Sequence, residues 1–186
     1  MHGLIFASLR DYTARELGET DAARLWAGRA YHTGRAYGDE EFHERLEGVR
    51  AALGRSQEDL QRDFGVFAAR TTFTGLFPDY FIESRDTLTF LLGVEAKIHE
   101  LVRATIPGAQ PPNLHVRPLG TTGVLVSYTS DRRLCCLLEG LVLGTAAHYG
   151  EQMELEELQC MHRDDPGCVW SVVRASVDYP GSLSPT

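Results

Sequence analysis

The sequence predicts an α+β fold, with a helical N-terminal part followed by an antiparallel sheet with an inserted helix. Up to about residue 106, apolar residues recur at helical spacing, as at Phe42, Leu46 and Val49. Beyond the prolines at 107, 111 and 112, the pattern changes to short runs around the turns GTTG and RDDPG, which is typical of β-hairpins. Helices first and hairpins second is the α+β order.

Boundary signals define each element in turn. Gly18 ends the first helix, and Asp21 caps a short second one. Ser56 precedes the fourth helix, and Asp86 opens the most apolar helix of the first half, which Pro107 ends. The sequence predicts helices at residues 4–17, 22–31, 39–53, 56–69, 86–106 and 132–150, an aromatic-rich loop at 71–84, and strands at 113–119, 124–130, 152–162 and 168–177.

Composition favours one soluble, cytoplasmic domain over residues 1–179 with a disordered tail at 180–186. The 18 Lys and Arg against 26 Asp and Glu give a formal charge of −8, which argues against binding to nucleic acid or to anionic lipid. No apolar stretch reaches the roughly 20 residues of a membrane span, and the opening MHGLIFASLR lacks the positive start of a secretory signal. Without export, the four cysteines are expected to be reduced thiols or metal ligands.

His99 is the first candidate for chemistry. It shares a mainly apolar helix face with Leu91 and Val102. A neutral imidazole on a rigid helix can ligate a metal if a partner orients its other ring nitrogen. A single histidine on such a face is more often a core residue, so the helix pattern alone leaves both interpretations open.

The run from Tyr128 to Arg132 is the second candidate. If the strand lasts to Arg132, the side chains of Tyr128, Ser130 and Arg132 point to one face. Two hydroxyls and a guanidinium suit a ligand that carries carboxylates or phosphates. An ordinary exposed strand face is the alternative.

These separated residues together resemble the signature of the haem nitric oxide/oxygen-binding (H-NOX) family, the sensor domain of soluble guanylate cyclases and its bacterial relatives. His99 is followed by Pro112 and then by the Tyr-x-Ser-x-Arg motif at 128–132. The opening MHGLIF, which contains Ile5, and the segment LFPDYF are also similar to the family. The resemblance therefore runs from residue 1 to about residue 175 and implies a haem between the helical part and the sheet.

The resemblance implies a role for each motif residue. His99 would be the proximal ligand of a haem b, leaving one open axial position on the iron for a diatomic gas. Five other side chains would contact the macrocycle: Tyr128, Ser130 and Arg132 as hydrogen-bond partners of its propionates, and Pro112 and Ile5 as apolar contacts that bend it.

The position that distinguishes oxygen-binding members from the others is Leu137. Family members that bind oxygen stably have a distal tyrosine there, five positions after the arginine of the motif. A leucine offers no hydrogen-bond donor to bound oxygen, and nitric oxide on ferrous iron needs none. We therefore expect nitric oxide, with carbon monoxide as a second ligand, and exclusion of oxygen unless another donor such as Tyr80 reaches the pocket.

The cysteines form a possible zinc site. Cys160 and His162 are two residues apart on a predicted strand, Cys168 follows the turn RDDPG, and Cys136 lies on the preceding helix. Three thiolates and an imidazole would complete a tetrahedral zinc site, and some bacterial H-NOX proteins look similar here. Free or oxidised thiols are the alternative.

One residue departs from the family's metal pattern. The position that is histidine in those bacterial members is Glu157 here, so either His162 or Glu157 would be the fourth ligand. Cys135 is expected to be a buried apolar residue that faces away from the site.

The resemblance implies a sensor rather than an enzyme. Nitric oxide would release His99 from the iron, the bent haem would relax, and the movement would signal to a separate protein such as a histidine kinase or a cyclic-di-GMP enzyme. The alternative is a small-molecule-binding domain of the vinyl-reductase type, with structural zinc and no haem. A haem enzyme is a weaker interpretation, because cleavage of an O–O bond needs distal acid–base groups.

Overall fold

The computed structural model describes residues 1–175, in which a helical N-terminal part precedes a four-stranded antiparallel sheet. The helices are α1 (Gly3–Leu17), α2 (Glu19–Leu25), α3 (Asp39–Leu53), α4 (Gln57–Ala68), α5 (Thr74–Leu76), α6 (Pro78–Ser84), α7 (Thr87–Val94), α8 (Glu100–Thr105) and α9 (Cys135–Tyr149). The strands are β1 (Asn113–Leu119), β2 (Gly123–Thr129), β3 (Met153–Gln159) and β4 (Cys168–Arg174), in the sheet order β1-β2-β4-β3. The predicted fold class is confirmed.

The described part of the chain contains two hydrophobic cores. The first lies among the N-terminal helices around Phe6, Phe42 and Phe64, each almost fully buried. The second lies between the sheet and the helices near it, and includes Val126 and Trp170. The two cores are separate clusters, so the space between them is the natural place for a ligand.

The helices α4 and α9 cross at unusually close range, where glycine replaces a side chain. A β-carbon at Gly140 would lie 2.1 Å from the carbonyl oxygen of Arg62, and one at Gly144 would lie 2.7 Å from the side chain of Ala69. A β-carbon at Gly65 would lie 2.5 Å from the carbonyl oxygen of Leu137. This contact fixes the rotation of α9 about its own axis, and with it the directions in which its cysteines and leucines point.

The expected loop at 71–84 is wrong, because most of this segment is helical. A π-helical turn at Ala69–Phe73 continues from α4 into α5, and α6 follows. Pro78 stands at the first position of α6, where a missing N–H costs nothing. The aromatic side chains Phe73 and Phe77 pack against the second core, which a mobile loop would not allow. The aromatic content therefore reflects burial.

The second helix is shorter than expected and begins earlier. It spans α2, so Asp21 lies inside it, and its N-cap is Gly18, whose φ of 83° also ends α1. It ends at Leu25, because Trp26 leaves the helical conformation and Gly28 takes a positive φ. The tail predicted at 180–186 and the end of the predicted domain at 176–179 lie outside the described residues.

The helix predicted at 86–106 is continuous but changes its winding at the candidate histidine. It runs through α7, then a π-helical turn at Glu95–His99, then α8. Such turns are rare and frequently occur at functional sites. No helix among residues 1–175 is long and apolar enough to cross a membrane.

Candidate functional site

A cavity of about 450 Å³ lies between the two cores. Its walls come from the start of α1, from the helix that carries His99, from β1 and β2, and from α9. Most of the lining side chains are aliphatic or aromatic, such as Leu91, Val142 and Phe77. An apolar cavity with a few polar groups is typical of a cofactor site.

Residues that are far apart in the sequence come together around this cavity. The predicted site residues that line the cavity are Ile5, His99, Pro112, Tyr128, Arg132 and Leu137. Ser130 does not line it within the described part of the chain. Its hydroxyl instead accepts a hydrogen bond from the backbone N–H of Arg132 at 3.3 Å. Ser130 therefore shapes the turn that presents Arg132.

His99 is held at the cavity by a carboxylate one helical turn earlier. Its Nδ1 lies 2.8 Å from Oε2 of Glu95, and Arg103 lies 2.7 Å from the other oxygen of that carboxylate. Burial lowers the pKa of His99, and this outweighs the opposing effect of Glu95. A neutral ring that donates from Nδ1 keeps a lone pair on Nε2, which is the form that ligates a metal.

Arg132 reaches the cavity from a turn and not from a strand. The strand β2 ends at Thr129, so the condition under which Tyr128, Ser130 and Arg132 would share one strand face is not met, and Arg133 has a positive φ of 49°. The Nε of Arg132 donates to Asp39 at 2.8 Å, and the amino group of Met1 lies 2.6 Å from the same oxygen. Within residues 1–175, no side chain accepts from the two terminal nitrogens of the Arg132 guanidinium, so they remain for a carboxylate.

Tyr128 is deeply buried beside this turn. Burial raises the pKa of its phenol to about 12, and a hydrogen bond with Ser130 acts in the opposite direction. The hydroxyl therefore stays protonated near neutral pH and is a donor. A phenol and a guanidinium on one wall would bind the propionates of a haem.

The wall around Leu137 offers little to a polar ligand. Leu134, Leu138 and Leu141 flank it on the same helix end. The hydroxyl of Tyr80 donates to the backbone carbonyl of Phe90, so it is already satisfied.

The cysteine cluster differs from the expectation in the residue that α9 contributes. The Sγ of Cys135 lies 2.8 Å from that of Cys168, which lies 3.9 Å from that of Cys160. The expectation that Cys136 joins them is wrong in this structure, because one residue along a helix changes the direction by about 100°. Cys136 faces α4, where burial raises its pKa to about 11 and Glu139 adds to the effect.

His162 is also outside the cluster. The strand β3 ends at Gln159, and His162 lies on a 3-10 turn at Met161–Arg163, where its Nε2 contacts the carbonyl oxygen of Arg133 at 2.8 Å. Among the described residues, the potential ligand atoms within 4.8 Å of one another are the three sulfurs of Cys135, Cys160 and Cys168. The Glu157 carboxylate is not part of this group either, because it pairs with Arg163.

Sequence reasoning missed three residues. Glu95 precedes His99 by four positions, and this spacing was the available signal for a contact on one helix face. Asp39 is 93 residues from Arg132, so no local pattern could have indicated the pair. Cys135 was assigned to the wrong face because the rotation of α9 depends on its packing.

The comparisons with known proteins agree with this geometry. A family model described as Haem-NO-binding matches residues 2–157. Among solved structures, the chain is similar to an H-NOX protein from S. oneidensis in the Fe(II)NO ligation state, with 23% identity, coverage of 95% of this chain and 100% of that chain, and a TM-score of 0.87. It is similar to unliganded Fe(II) H-NOX from K. algicida, with 20% identity, coverage of 96% and 99%, and a TM-score of 0.79.

A mutant of T. tengcongensis H-NOX is also similar, with 20% identity, coverage of 96% and 100%, and a TM-score of 0.82. At these identities the structural likenesses establish the fold. Among curated proteins, no sequence matches this chain.

Proposed function

Because this chain belongs to the Haem-NO-binding family, we propose that it is a haem-based sensor of nitric oxide in which His99 ligates the iron. The family consists of gas-sensor domains and not of enzymes. Nothing among the matched families and structures supports the alternative of a cofactor-free, vinyl-reductase-type domain.

The observation that carries the proposal is the convergence of six separated residues on one apolar cavity. His99 provides a neutral imidazole, Tyr128 and Arg132 provide donors for carboxylates, and Ile5, Pro112 and Leu137 provide apolar walls. A haem needs each of these at once: an axial ligand, partners for its propionates, and a dry cleft. A ferrous haem held there would supply an iron with one open axial position for nitric oxide.

The residues of the chain would set the response to the gas. Leu137 offers no donor to oxygen, so we propose that nitric oxide and carbon monoxide bind in preference to it. Release of His99 from the iron would let the helix that carries it move relative to Ile5 at the start of α1. We propose that a separate signalling protein, such as a histidine kinase or a cyclic-di-GMP enzyme, detects this movement.

The cysteine cluster supports a second, structural ligand. We propose zinc held by Cys135, Cys160 and Cys168. Glu157 or His162 would become the fourth ligand by leaving its present partner, which is Arg163 for Glu157 and the carbonyl oxygen of Arg133 for His162. Three buried sulfurs from α9, β4 and the end of β3 would tie the helix to the sheet. The same reduced thiols suit a cytoplasmic location.

The haem proposal is tested by the visible spectrum of the reduced protein without air, then with oxygen and with nitric oxide. We expect a haem band that nitric oxide shifts and oxygen leaves unchanged. The His99→Ala variant should lose the pigment and regain it with free imidazole, whereas His115→Ala, on the exposed part of β1, should keep it. An unchanged spectrum in His99→Ala would refute the ligand assignment.

The zinc proposal is tested by the metal content of two neighbouring variants. Cys135→Ser should purify with less than half of the wild-type zinc, and Cys136→Ser should keep all of it. Equal zinc in both variants, or none in the wild type, would contradict the site.

A further inference from the structure

We propose that Glu95 is a positioning residue that strengthens His99 as an iron ligand and so limits how readily nitric oxide releases it. The inference rests on the proposed function, since it presupposes a haem bound to His99. It adds a determinant of the sensor's response in a residue that is not among the described residues lining the cavity.

The first step is the geometry of the contact. Nδ1 of His99 lies 2.8 Å from one oxygen of the Glu95 carboxylate. The guanidinium of Arg103 lies 2.7 Å from the other oxygen. Both oxygens of the carboxylate are therefore engaged, and Arg103 orients it toward the ring.

The second step is the tautomer of the ring. A carboxylate oxygen only accepts, so Nδ1 must carry the hydrogen and donate it. The lone pair of the neutral ring is then on Nε2, the remaining nitrogen of a side chain that lines the cavity. Glu95 therefore keeps His99 in the form that can ligate iron.

The third step is the effect on ligand strength. A hydrogen bond from a ligating histidine to an outer carboxylate raises the basicity of the ligating nitrogen. Such a bond to a charged acceptor is roughly twice as strong as one to a neutral acceptor. The His99 side chain is only 15% exposed, so water competes little for Nδ1.

The fourth step is the local backbone. The π-helical turn Glu95–His99 is bounded by the two interacting residues, and helical structure continues on both sides of it. The contact thus ties the ring to its own helix, and His99 and Glu95 would move as one unit. With a haem bound, this contact would have to be overcome together with the iron–histidine bond before the helix could move.

The experiment compares the wild type with Glu95→Gln, Glu95→Ala and the control Glu100→Gln. Glu100 is the exposed carboxylate next to His99 in the chain, so its variant removes the same charge close to His99. The readouts are the iron–histidine stretching frequency of the ferrous protein by resonance Raman, and the fraction of the nitric oxide complex that retains His99, by electron paramagnetic resonance.

We expect the stretching frequency to fall in the order wild type, Glu95→Gln, Glu95→Ala, with Glu100→Gln equal to the wild type. In the nitric oxide complex, the ratio of His99-bound to His99-released haem should fall about tenfold in Glu95→Ala, as expected for the loss of one charge-assisted hydrogen bond. A purely structural role would change the urea midpoint of unfolding and leave the frequency unchanged.

Two kinds of failure are distinguishable. Haem that binds equally well to His99→Ala would refute the proposed function and, with it, this inference. If haem binding requires His99 but the iron–histidine stretching frequency is the same in all four proteins, the role of Glu95 alone is refuted.

Discussion

At the scale of single residues, the cavity depends on a few groups whose protonation is set by burial. His99 is neutral because burial lowers its pKa, and Tyr128 keeps its proton because burial raises its pKa to about 12. His99 could therefore offer a ring lone pair to a metal, and Tyr128 could donate a hydrogen bond.

Leu137→Tyr should convert the pocket into one that holds oxygen. A tyrosine at this point on the cavity wall supplies the donor that the leucine lacks, and a hydrogen bond of this kind corresponds to roughly a tenfold or greater gain in oxygen affinity. Oxygen titration of the ferrous protein checks this. Leu137→Phe adds the ring without the hydroxyl and should remain unresponsive; a response equal to that of the tyrosine variant would show that bulk is the cause.

Asp39→Asn should destabilise the protein at neutral pH, because Arg132 would lose its charged partner. The expected loss is only about 1 kcal/mol, because the Asp39 side chain is more than a third exposed and water weakens the ion pair. Burial alone would raise the pKa of Asp39, but the amino group of Met1 and Arg132 leave that pKa lowered. A lowered pKa contributes stability above the unfolded value of about 3.9 that is lost as the pH falls through the folded value.

Urea unfolding at several pH values checks the effect. The difference between the wild type and Asp39→Asn should be equal at about pH 7 and pH 5 and shrink below about pH 4. Asp21→Asn, which removes an exposed carboxylate paired with Arg24, should change stability by less than about 0.5 kcal/mol at every pH. A difference that grows on acidification would contradict the assignment.

At the scale of elements, the contact between α4 and α9 determines the direction of each α9 side chain. Gly140 and Gly144 let the two backbones approach, as a β-carbon at either position would clash. With this rotation, Leu137 and Leu141 line the cavity, Cys135 meets Cys168, and Cys136 faces α4. One helix contact thus serves both candidate sites.

Gly140→Ala should lower the free energy of unfolding by about 3 kcal/mol, the upper part of the usual range for overpacking. The added β-carbon would lie 2.1 Å from a backbone oxygen of α4, which cannot move away like a flexible side chain. Gly48→Ala is the matched control: its β-carbon would lie in ordinary contact with the Leu25 side chain, at 3.6 Å, and a gain of about 0.5–1 kcal/mol is expected from helix propensity. Equal stability of the two variants in urea would show that α9 can shift.

At the scale of the whole molecule, the two hydrophobic cores are separate and the cavity lies between them. A ligand that fills it would join the helical part to the sheet. Haem binding should therefore stabilise the entire fold.

Haem at about 100 times its dissociation constant should add about 2.7 kcal/mol to the stability of the protein. For a domain of this size, that corresponds to a rise in the unfolding midpoint of roughly 5–10 °C. Iron-free protoporphyrin fills the same space without a bond to His99, so at the same concentration as haem it should raise the unfolding midpoint less. Calorimetry checks both, and equal shifts would mean that the histidine bond contributes nothing to stability.

The sequence by itself determined the fold class, the elements with strong periodicity and the residues of the haem motif. The helix at 39–53 has its predicted bounds, because helical spacing and flanking glycines are local properties. Five of the six motif residues, all except Ser130, line the cavity, as does Leu137, since residue type and order along the chain already carry that pattern.

The tertiary structure alone decided which face of α9 meets the sheet and which partners hold the functional side chains. The choice between Cys135 and Cys136 is a rotation of about 100° that no local pattern encodes. The pairing of Arg132 with Asp39 joins residues 93 positions apart. Both depend on how helices and sheet pack, because packing couples every side chain to distant neighbours and a sequence pattern reports only those nearby.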